Sequence, residues 1–342
     1  MKKLLLCAAL LCPLVSFSQS AIQPTVQSIT QPEIQLQDKI RIGEAIKISG
    51  FISDNIWKRW SETGFAILLV TDSLEYLVNH PYPSSDFTES YFDNYLNTKI
   101  YIRKRVYQKD FLATFPAVNG VSCVVVGTAE NTKRSSLYWT ITLLHEHFHQ
   151  YQSAHKDYYT GVDNLDLKEG DETGMWMLNY KFPYEDSSVN NAFNDMKADL
   201  IKAYESINSK SFKKKVSGYI KSKKAFNKIV TEKDSKYFEF QLWQEGLARY
   251  TEYEILSYLI KNNYQFSEEF KSLSDCEPIT DNYQKRITQL AGEIDKTNLK
   301  DEQRISFYSI GAMEGLVLNK YKPLWRKKYF NNLFNTTNFF TK

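Results

Sequence analysis

The sequence predicts an α+β fold in which a small mixed β-sheet leads into a mainly helical C-terminal half. Two observations support this prediction. Short apolar and β-branched runs bounded by turn residues are concentrated in the first part of the chain, and runs with helical spacing of apolar residues follow them. Strands followed by helices, rather than strands alternating with helices, are typical of the α+β class.

The composition is that of a globular protein with a substantial core. The chain has 342 residues, of which 42% are hydrophobic, 15% aromatic and 24% charged. Its formal net charge is only +3, and the loss of two lysines with an N-terminal leader would bring it closer to zero. This charge gives no electrostatic reason to expect a nucleic-acid partner.

Residues 1–18 have the pattern of a secretory signal peptide. Two lysines precede a short apolar run over 4–15, and small residues at 16 and 18 precede a cut before Gln19. The apolar run is shorter than the about 20 residues that span a membrane. We therefore expect a secreted or periplasmic protein with no integral membrane segment after cleavage.

Three further parts are expected after the signal peptide. The stretch over 19–38 is rich in Gln, Ser, Thr and Pro, which predicts a flexible arm. A β-rich part over 39–134 and a helical part over 135–342 follow. Since no linker separates these two parts, we expect 39–342 to form one structural and functional unit.

Three segments of the β-rich part have strand patterns. Residues 64–71 (GFAILLVT) and 74–78 (LEYLV) flank a two-residue turn, which predicts a hairpin. Residues 98–107 (TKIYIRKRVY) alternate apolar and basic side chains, as a half-exposed strand does. Residues 121–126 (VSCVVV) are β-branched and predict another strand.

The helical part begins after a polar turn. Ser135 or Ser136 is expected to cap a helix that runs to about Gln152. The segment over 156–190 contains several Gly and Pro residues and is expected to be rich in loops. Helical spacing then predicts helices over 192–208, 211–229, 237–261, 283–296 and 303–321.

The helix expected to begin at Ser135 or Ser136 carries a metal-binding pattern, in the sequence LHEHFHQ at 144–150. His145 and His149 are four positions apart, so on a helix their imidazoles project from one face, one turn apart. Two ligands of a tetrahedral zinc ion need this geometry. Glu146 can reach a metal-bound water without binding the metal, as a general base does. The alternative is a structural helix with ordinary histidines, and His147 and His155 are interpreted in that way.

A zinc site that keeps one position open for water needs a third protein ligand, and two regions offer a carboxylate. Glu245 is followed by small residues that allow its helix to approach another closely. Glu169 and Glu172 lie nearer to His149 in the sequence. The residues by themselves leave all three carboxylates open.

The two motifs together resemble the gluzincin metallopeptidases, in which HExxH is followed by a second helix that reads EGxAxY or close to it. This chain has HEHFH at 145–149 and EGLARY at 245–250. The resemblance extends over roughly residues 118–260. The segment between the motifs is much longer here than in well-known members, and we expect 150–190 to lie over or beside the cleft.

The resemblance implies a zincin-like fold and a set of residue roles. His145, His149 and Glu245 would bind one zinc ion, and Glu146 would act as general base in peptide-bond hydrolysis. On this basis Glu245 is preferred over Glu169 and Glu172. The resemblance also implies an antiparallel edge strand that holds extended substrate, which would be 121–126 in this chain.

Hydrolysis also needs a hydrogen-bond donor to the oxyanion that develops in the transition state. Tyr308, Tyr250, Arg249 and His155 are candidates. We select Tyr308, which begins a late helix whose glycines at 311 and 315 predict close backbone packing.

The leading hypothesis is therefore an exported zinc metallopeptidase, a hydrolase that acts on peptide or protein substrates. Two alternatives use the same residues: a zincin-like module that binds a partner without cleaving it, and a zinc hydrolase of non-peptide amides or esters. Specificity and oligomeric state do not follow from the sequence. Cys123 and Cys276, which follow the leader, are compatible with a disulfide or with two free thiols.

Overall fold

The computed structural model describes residues 32–341, and the residues from Ile34 onward form one compact unit. A six-stranded sheet is followed by a mainly helical C-terminal half, which confirms the predicted α+β class. The predicted signal peptide over 1–18 and most of the predicted arm over 19–38 lie outside the described residues. Between residues 32 and 341, no helix is both long enough and apolar enough to cross a membrane.

The six strands precede the main run of helices, as the sequence predicts, but an unpredicted helix comes before the strands. The strands are β1 (Ile67–Val70), β2 (Leu74–Val78), β3 (Thr88–Asp93), β4 (Thr98–Lys104), β5 (Leu112–Val118) and β6 (Val121–Gly127). The helices are α1 (Leu36–Ile52), α2 (Ser136–Ser153), α3 (Tyr158–Asp163), α4 (Trp176–Asn179), α5 (Ser187–Glu205), α6 (Phe212–Ile229), α7 (Glu232–Gln241), α8 (Leu247–Lys261), α9 (Glu268–Lys271), α10 (Ile279–Lys296), α11 (Leu299–Glu302), α12 (Ser306–Tyr321) and α13 (Thr337–Thr341). A π-helical turn, Leu242–Gly246, joins α7 to α8.

The sheet is mixed, with the strand order β3-β4-β2-β1-β6-β5. The predicted hairpin is confirmed, since β1 and β2 are antiparallel with Ile67 opposite Val78. The strand predicted at 121–126 is β6, which runs parallel to β1 and antiparallel to β5. Because β6 lies between two neighbours, the expectation that 121–126 is the edge strand is wrong. The edge strand on that side is β5.

Several N-terminal elements are absent from the sequence-based prediction for identifiable reasons. Strand β5 contains Pro116, which suits an edge strand but weakens the strand signal of the segment. Helix α1 lies within the part predicted to be β-rich. Its buried side includes Asp38, Arg41 and Glu44, so polar residues interrupt the apolar stripe by which a helix is recognised.

Helix α2 lies at the junction between the sheet and the helical half, as predicted. It begins at the predicted cap, where the Ser135 hydroxyl accepts a hydrogen bond from the Tyr138 backbone N–H. Trp139 is buried against the sheet, whereas Leu144 and Phe148 are buried among the C-terminal helices. Because both sides of α2 are covered, its position and rotation are fixed by two separate cores.

The π turn and α12 approach each other at two glycines. A Cβ atom added to Gly246 would lie 2.6 Å from the Gly311 Cα atom. One turn further along α12, a Cβ atom added to Gly315 would lie 2.4 Å from the Tyr250 ring. The small residue after Glu245 thus allows close packing against α12, as the glycines of the late helix predict.

The two cysteines that follow the predicted leader are both free thiols in the structure. Cys123 is a buried residue of β6, and burial raises the pKa of its thiol to about 12. Cys276 lies beside a small apolar cluster near α9. The sheet and this cluster belong to separate parts of the core, so the thiols are not paired.

Replacing Gly246 with alanine should lower the free energy of unfolding by about 1–3 kcal/mol, because the new methyl group overlaps the α12 backbone. Gly292→Ala in α10 is the matched control, since an added Cβ atom there meets nothing within 4 Å. The control should gain about 0.5–1 kcal/mol from helix propensity. Urea unfolding measures both variants, and equal stabilities would contradict the close contact.

Candidate metal centre

His145 and His149 project from the same side of α2, one turn apart. Their Nε2 atoms are 3.2 Å apart, and both side chains are at least 85% buried, with exposed fractions of 12% and 7%. Two unprotonated Nε2 atoms cannot hydrogen-bond to each other, but both lone pairs can be donated to one cation. The helix therefore presents two preformed ligands.

The carboxylate of Glu245 completes this group from the π turn. Its Oε2 atom lies 3.8 Å from the His145 Nε2 atom and 3.5 Å from the His149 Nε2 atom. A π turn is rare and occurs mostly as a single turn within a helix, frequently at a functional site. Here the turn places Glu245 toward α2 while the next residue, Gly246, packs on α12.

The three separations fit one tetrahedral ion. Ligand atoms about 2.0–2.1 Å from a zinc ion at tetrahedral angles are about 3.3 Å from one another. The three ligand atoms are separated by 3.2, 3.5 and 3.8 Å, so shifts of a few tenths of an ångström place all of them on one ion. Two imidazoles and one carboxylate also form the donor set of zinc sites that keep a fourth position for water. These residues therefore fit zinc.

Glu146 lies beside the three ligands without being needed as a fourth. One of its carboxylate oxygens and a ring nitrogen from each of His145 and His149 all lie within 4.8 Å of one another. The Thr114 hydroxyl, on the edge strand β5, lies 2.8 Å from the Glu146 Oε2 atom and can donate a hydrogen bond to it. The same hydroxyl lies 3.0 Å from the Glu146 backbone oxygen. Through these two contacts Thr114 fixes the position of the Glu146 carboxylate relative to strand β5.

A second carboxylate orients His145. Glu252, on α8, lies 2.8 Å from the His145 Nδ1 atom through its Oε1 atom, and its Oε2 atom accepts a hydrogen bond from Arg286 on α10. A carboxylate at Nδ1 keeps the imidazole proton on that nitrogen. The lone pair of Nε2 is therefore free to face the metal position.

An amide orients His149 in the same way. The Gln152 Oε1 atom lies 2.6 Å from the His149 Nδ1 atom. The Gln152 Nε2 atom donates to the Tyr329 hydroxyl and to the Trp243 carbonyl oxygen. Since its nitrogen is occupied by these acceptors, Gln152 presents its oxygen to His149, and this shorter contact favours a ring proton on Nδ1. The Gln244 Nε2 atom lies 3.1 Å from the same Nδ1 atom and competes for it.

The electrostatics of the site favour bound positive charge. Burial lowers the pKa of His145, but hydrogen bonds with Glu245 and Glu252 outweigh burial and raise this pKa to about 10. Burial also lowers the pKa of His149, and the charge of Glu245 raises it above its ordinary value. Burial raises the pKa of Glu245, whereas the two imidazoles hold it well below its usual range. Either protons on the imidazoles or a bound metal ion can supply the positive charge that balances the carboxylates of Glu245 and Glu252.

Tyr308, in the first turn of α12, is a half-buried phenol near these carboxylates. Burial and the negative charge of Glu245 raise its pKa well above its ordinary value, with a smaller contribution from Glu146. The phenol therefore stays neutral and can donate a hydrogen bond. The Arg304 guanidinium donates to its oxygen. Because a guanidinium only donates, the phenol proton remains available to another acceptor.

The structure does not bring the other candidate carboxylates and Tyr250 to this site. Glu169 and Glu172 are both exposed, and Glu172 pairs with Lys168 at 3.4 Å. Tyr250 is fully buried and donates to the Asn319 Oδ1 atom at 2.7 Å. The two glutamates are open to solvent and the Tyr250 hydroxyl is already paired, so none of the three needs a role at the metal position.

The remaining candidates are also engaged elsewhere. Arg249 pairs with Glu293 on α10 at 3.3 Å. The ring of His155 stacks on Phe330 with centroids 4.1 Å apart. His147 is buried, points away from the ligand face and stacks on Phe65 with centroids 4.0 Å apart. The stacked positions of these two histidines agree with their interpretation as structural residues.

Four supporting residues are absent from the sequence-based prediction: Thr114, Gln152, Glu252 and Arg286. Two of them leave a signal in the sequence. Gln152 follows the ligand His149 by about one helical turn, and Glu252 follows the ligand Glu245 by two turns. The other two come from β5 and α10, which reach the site only through tertiary packing. No local pattern marks them.

Comparison of the chain with protein-family models, with curated proteins and with solved structures returns no match. A metal centre is therefore supported by the geometry of the described residues alone. The likeness of the two motifs to the gluzincins stays a sequence-based expectation, to which that geometry adds support.

Replacing Glu245 with alanine should weaken zinc binding on the order of 100-fold or more, since the site loses a ligand and the charge that balances the ion. Glu169→Ala is the control and should bind zinc as the unmodified protein does, because Glu169 is exposed. Competition with a chromophoric chelator measures both affinities. Loss of affinity in the Glu169 variant alone would overturn the ligand assignment.

Zinc binding should release protons and weaken as the pH falls. The folded-state pKa of His145 is raised to about 10, so at neutral pH zinc must displace at least one proton from the site. Affinity should fall about tenfold per pH unit for each proton displaced. Calorimetry in two buffers of different ionisation enthalpy counts the protons, and an affinity that is constant between pH 6 and 8 would contradict this account.

Proposed function

We propose that this protein is an exported zinc metallopeptidase, similar to the gluzincins, that hydrolyses peptide bonds. The observation that carries the proposal is the convergence of His145, His149 and Glu245, with Glu146 beside them, at distances that suit one tetrahedral ion. Export is proposed from the signal-peptide pattern of residues 1–18. The mature protein would act in the periplasm or outside the cell.

The division of roles follows from the chemistry of the side chains. His145, His149 and Glu245 would hold a zinc ion, and the bound ion would supply a water of lowered pKa and a Lewis acid for the scissile carbonyl. Glu146 takes up the proton that the attacking water loses and delivers it to the leaving amine. Thr114 keeps the Glu146 carboxylate oriented for both transfers.

The edge strand β5 favours the proposal of a peptide substrate over that of a small ester or amide. Strand β5 pairs with β6 on one side, and among residues 32–341 no strand covers its other side. An extended peptide can add to such an edge through backbone hydrogen bonds. Because Thr114 on β5 also contacts Glu146, a peptide bound along β5 would pass the general base.

Tyr308 is the proposed donor to the oxyanion. Its phenol is neutral, lies within the electrostatic reach of Glu245 and Glu146, and keeps its proton available because Arg304 donates to its oxygen. A donor that meets the substrate oxygen only as negative charge develops stabilises the transition state more than the ground state.

Glu146→Gln should lower peptidase kcat by about 100- to 10,000-fold while one zinc ion per chain is retained, because the amide cannot accept the proton. A peptide library read by mass spectrometry, with the zinc content of the same samples, is the measurement. If the unmodified protein binds zinc and cleaves no peptide, a binding module or a non-peptide hydrolase replaces the peptidase proposal.

Tyr308→Phe should lower kcat by about 100-fold with little change in KM, since only a transition-state hydrogen bond is lost. Tyr321→Phe, at the far end of the same helix α12, is the matched control. Steady-state kinetics on one library substrate compares the three proteins. Full activity of the Tyr308 variant would remove this residue from the mechanism.

A further inference from the structure

Arg304 differs from the other arginines of the helical half. Arg249, Arg286 and Arg326 each form an ion pair with a glutamate. Within the part of the chain that the structure describes, Arg304 has no carboxylate at ion-pair distance, although it is half-buried. Its contacts are the hydroxyl and the ring of Tyr308. A partly buried guanidinium without an anionic partner is a candidate binding group for an anion.

The position of Arg304 connects it to the metal centre. It precedes Tyr308 by one helical turn and donates to that phenol. One turn further along the chain, Gly311 packs against Gly246, the residue that follows the ligand Glu245. The groups around the metal position are acidic, namely Glu146, Glu245 and Glu252. Arg286 is already paired with Glu252, whereas the charge of Arg304 is left to offset the repulsion between these carboxylates and an anionic end of a substrate.

The backbone before Arg304 has an uncommon conformation. Gln303 has a φ of 49° and a ψ of −130°, a backbone conformation that residues other than glycine rarely adopt. Its carbonyl oxygen accepts a hydrogen bond from the Ser306 hydroxyl, which helps to hold the turn. Unfavourable backbone conformations of this kind cluster at sites that bind ligands. The turn at Gln303 directly precedes Arg304, whose guanidinium donates a hydrogen bond to the Tyr308 hydroxyl.

We infer that Arg304 binds the C-terminal carboxylate of a peptide substrate, so that the protein releases residues from the C-terminal end of peptides. This inference deepens the proposed peptidase function and rests on it. A guanidinium binds a carboxylate through two parallel hydrogen bonds, which gives both affinity and orientation. Zinc at His145, His149 and Glu245 would then face the bond next to the bound end.

The reach of one amino acid agrees with this assignment. In a peptide, the terminal carboxyl carbon is three bonds from the preceding carbonyl carbon, a span of at most about 3.8 Å. Arg304 and the Tyr308 hydroxyl are joined directly by a hydrogen bond. A substrate oxygen held by Tyr308 and a carboxylate held by Arg304 would therefore be about one residue apart.

The test compares one library-selected peptide with its C-terminal amide. The unmodified protein should show a kcat/KM for the free acid about 10- to 100-fold above that for the amide, the range for hydrogen bonds to a charged group. In Arg304→Gln this ratio should approach one, and Arg304→Lys should give an intermediate ratio. Lys300→Gln, which removes an exposed charge nearby, should keep the ratio of the unmodified protein.

A binding measurement separates this inference from the peptidase proposal. Calorimetry with zinc-loaded Glu146→Gln protein should show tighter binding of the free acid than of the amide, and Arg304→Gln in that background should abolish the difference. If the unmodified protein cleaves no peptide of the library, the peptidase proposal fails, while the binding comparison on any library peptide and its amide still reports on Arg304.

Two outcomes would overturn the role of Arg304. An unmodified protein that cleaves and binds acid and amide equally well does not recognise a terminal carboxylate. A ratio that persists in Arg304→Gln, with both rates reduced by the same factor, would instead make Arg304 a positioning residue for Tyr308.

Discussion

The approach of the Glu245 carboxylate to the two imidazoles of α2 is the interaction on which the site depends. It brings a negative charge and two nitrogen lone pairs to within 3.8 Å of one another in a largely buried place. Such a group is stable only if protons or a metal ion balance it. The fold holds it by fixing α2 between two cores and by pressing the π turn onto α12 at Gly246 and Gly311.

The supporting side chains explain why this arrangement suits a metal better than a simple ion pair. Glu252 and Gln152 each occupy an Nδ1 atom, so both imidazoles turn their Nε2 atoms inward. Two histidines that served only to pair with Glu245 would not need such defined partners on the opposite side. Thr114 adds a third constraint, since it ties the neighbouring carboxylate of Glu146 to the edge of the sheet.

Much of this could be predicted from the sequence, because the signals were local. The spacing of His145 and His149, the cap at Ser135 and the hairpin of β1 and β2 are all encoded within a few residues. The π turn at Glu245 leaves no such signal, and helical spacing predicts one continuous helix over 237–261 around it. The resemblance to the gluzincins places the edge strand at 121–126, just before the helix of the first motif, and no local pattern reveals that β5 lies beyond it.

Metal analysis after equilibrium dialysis measures whether these residues hold one zinc ion. Purified protein spanning 19–342 should retain one zinc ion per chain at neutral pH, and a variant with both His145 and His149 replaced by alanine should retain none while its circular dichroism stays native. No retained zinc in the folded, unmodified protein would contradict the account and leave the imidazoles as a structural ion-pair cluster.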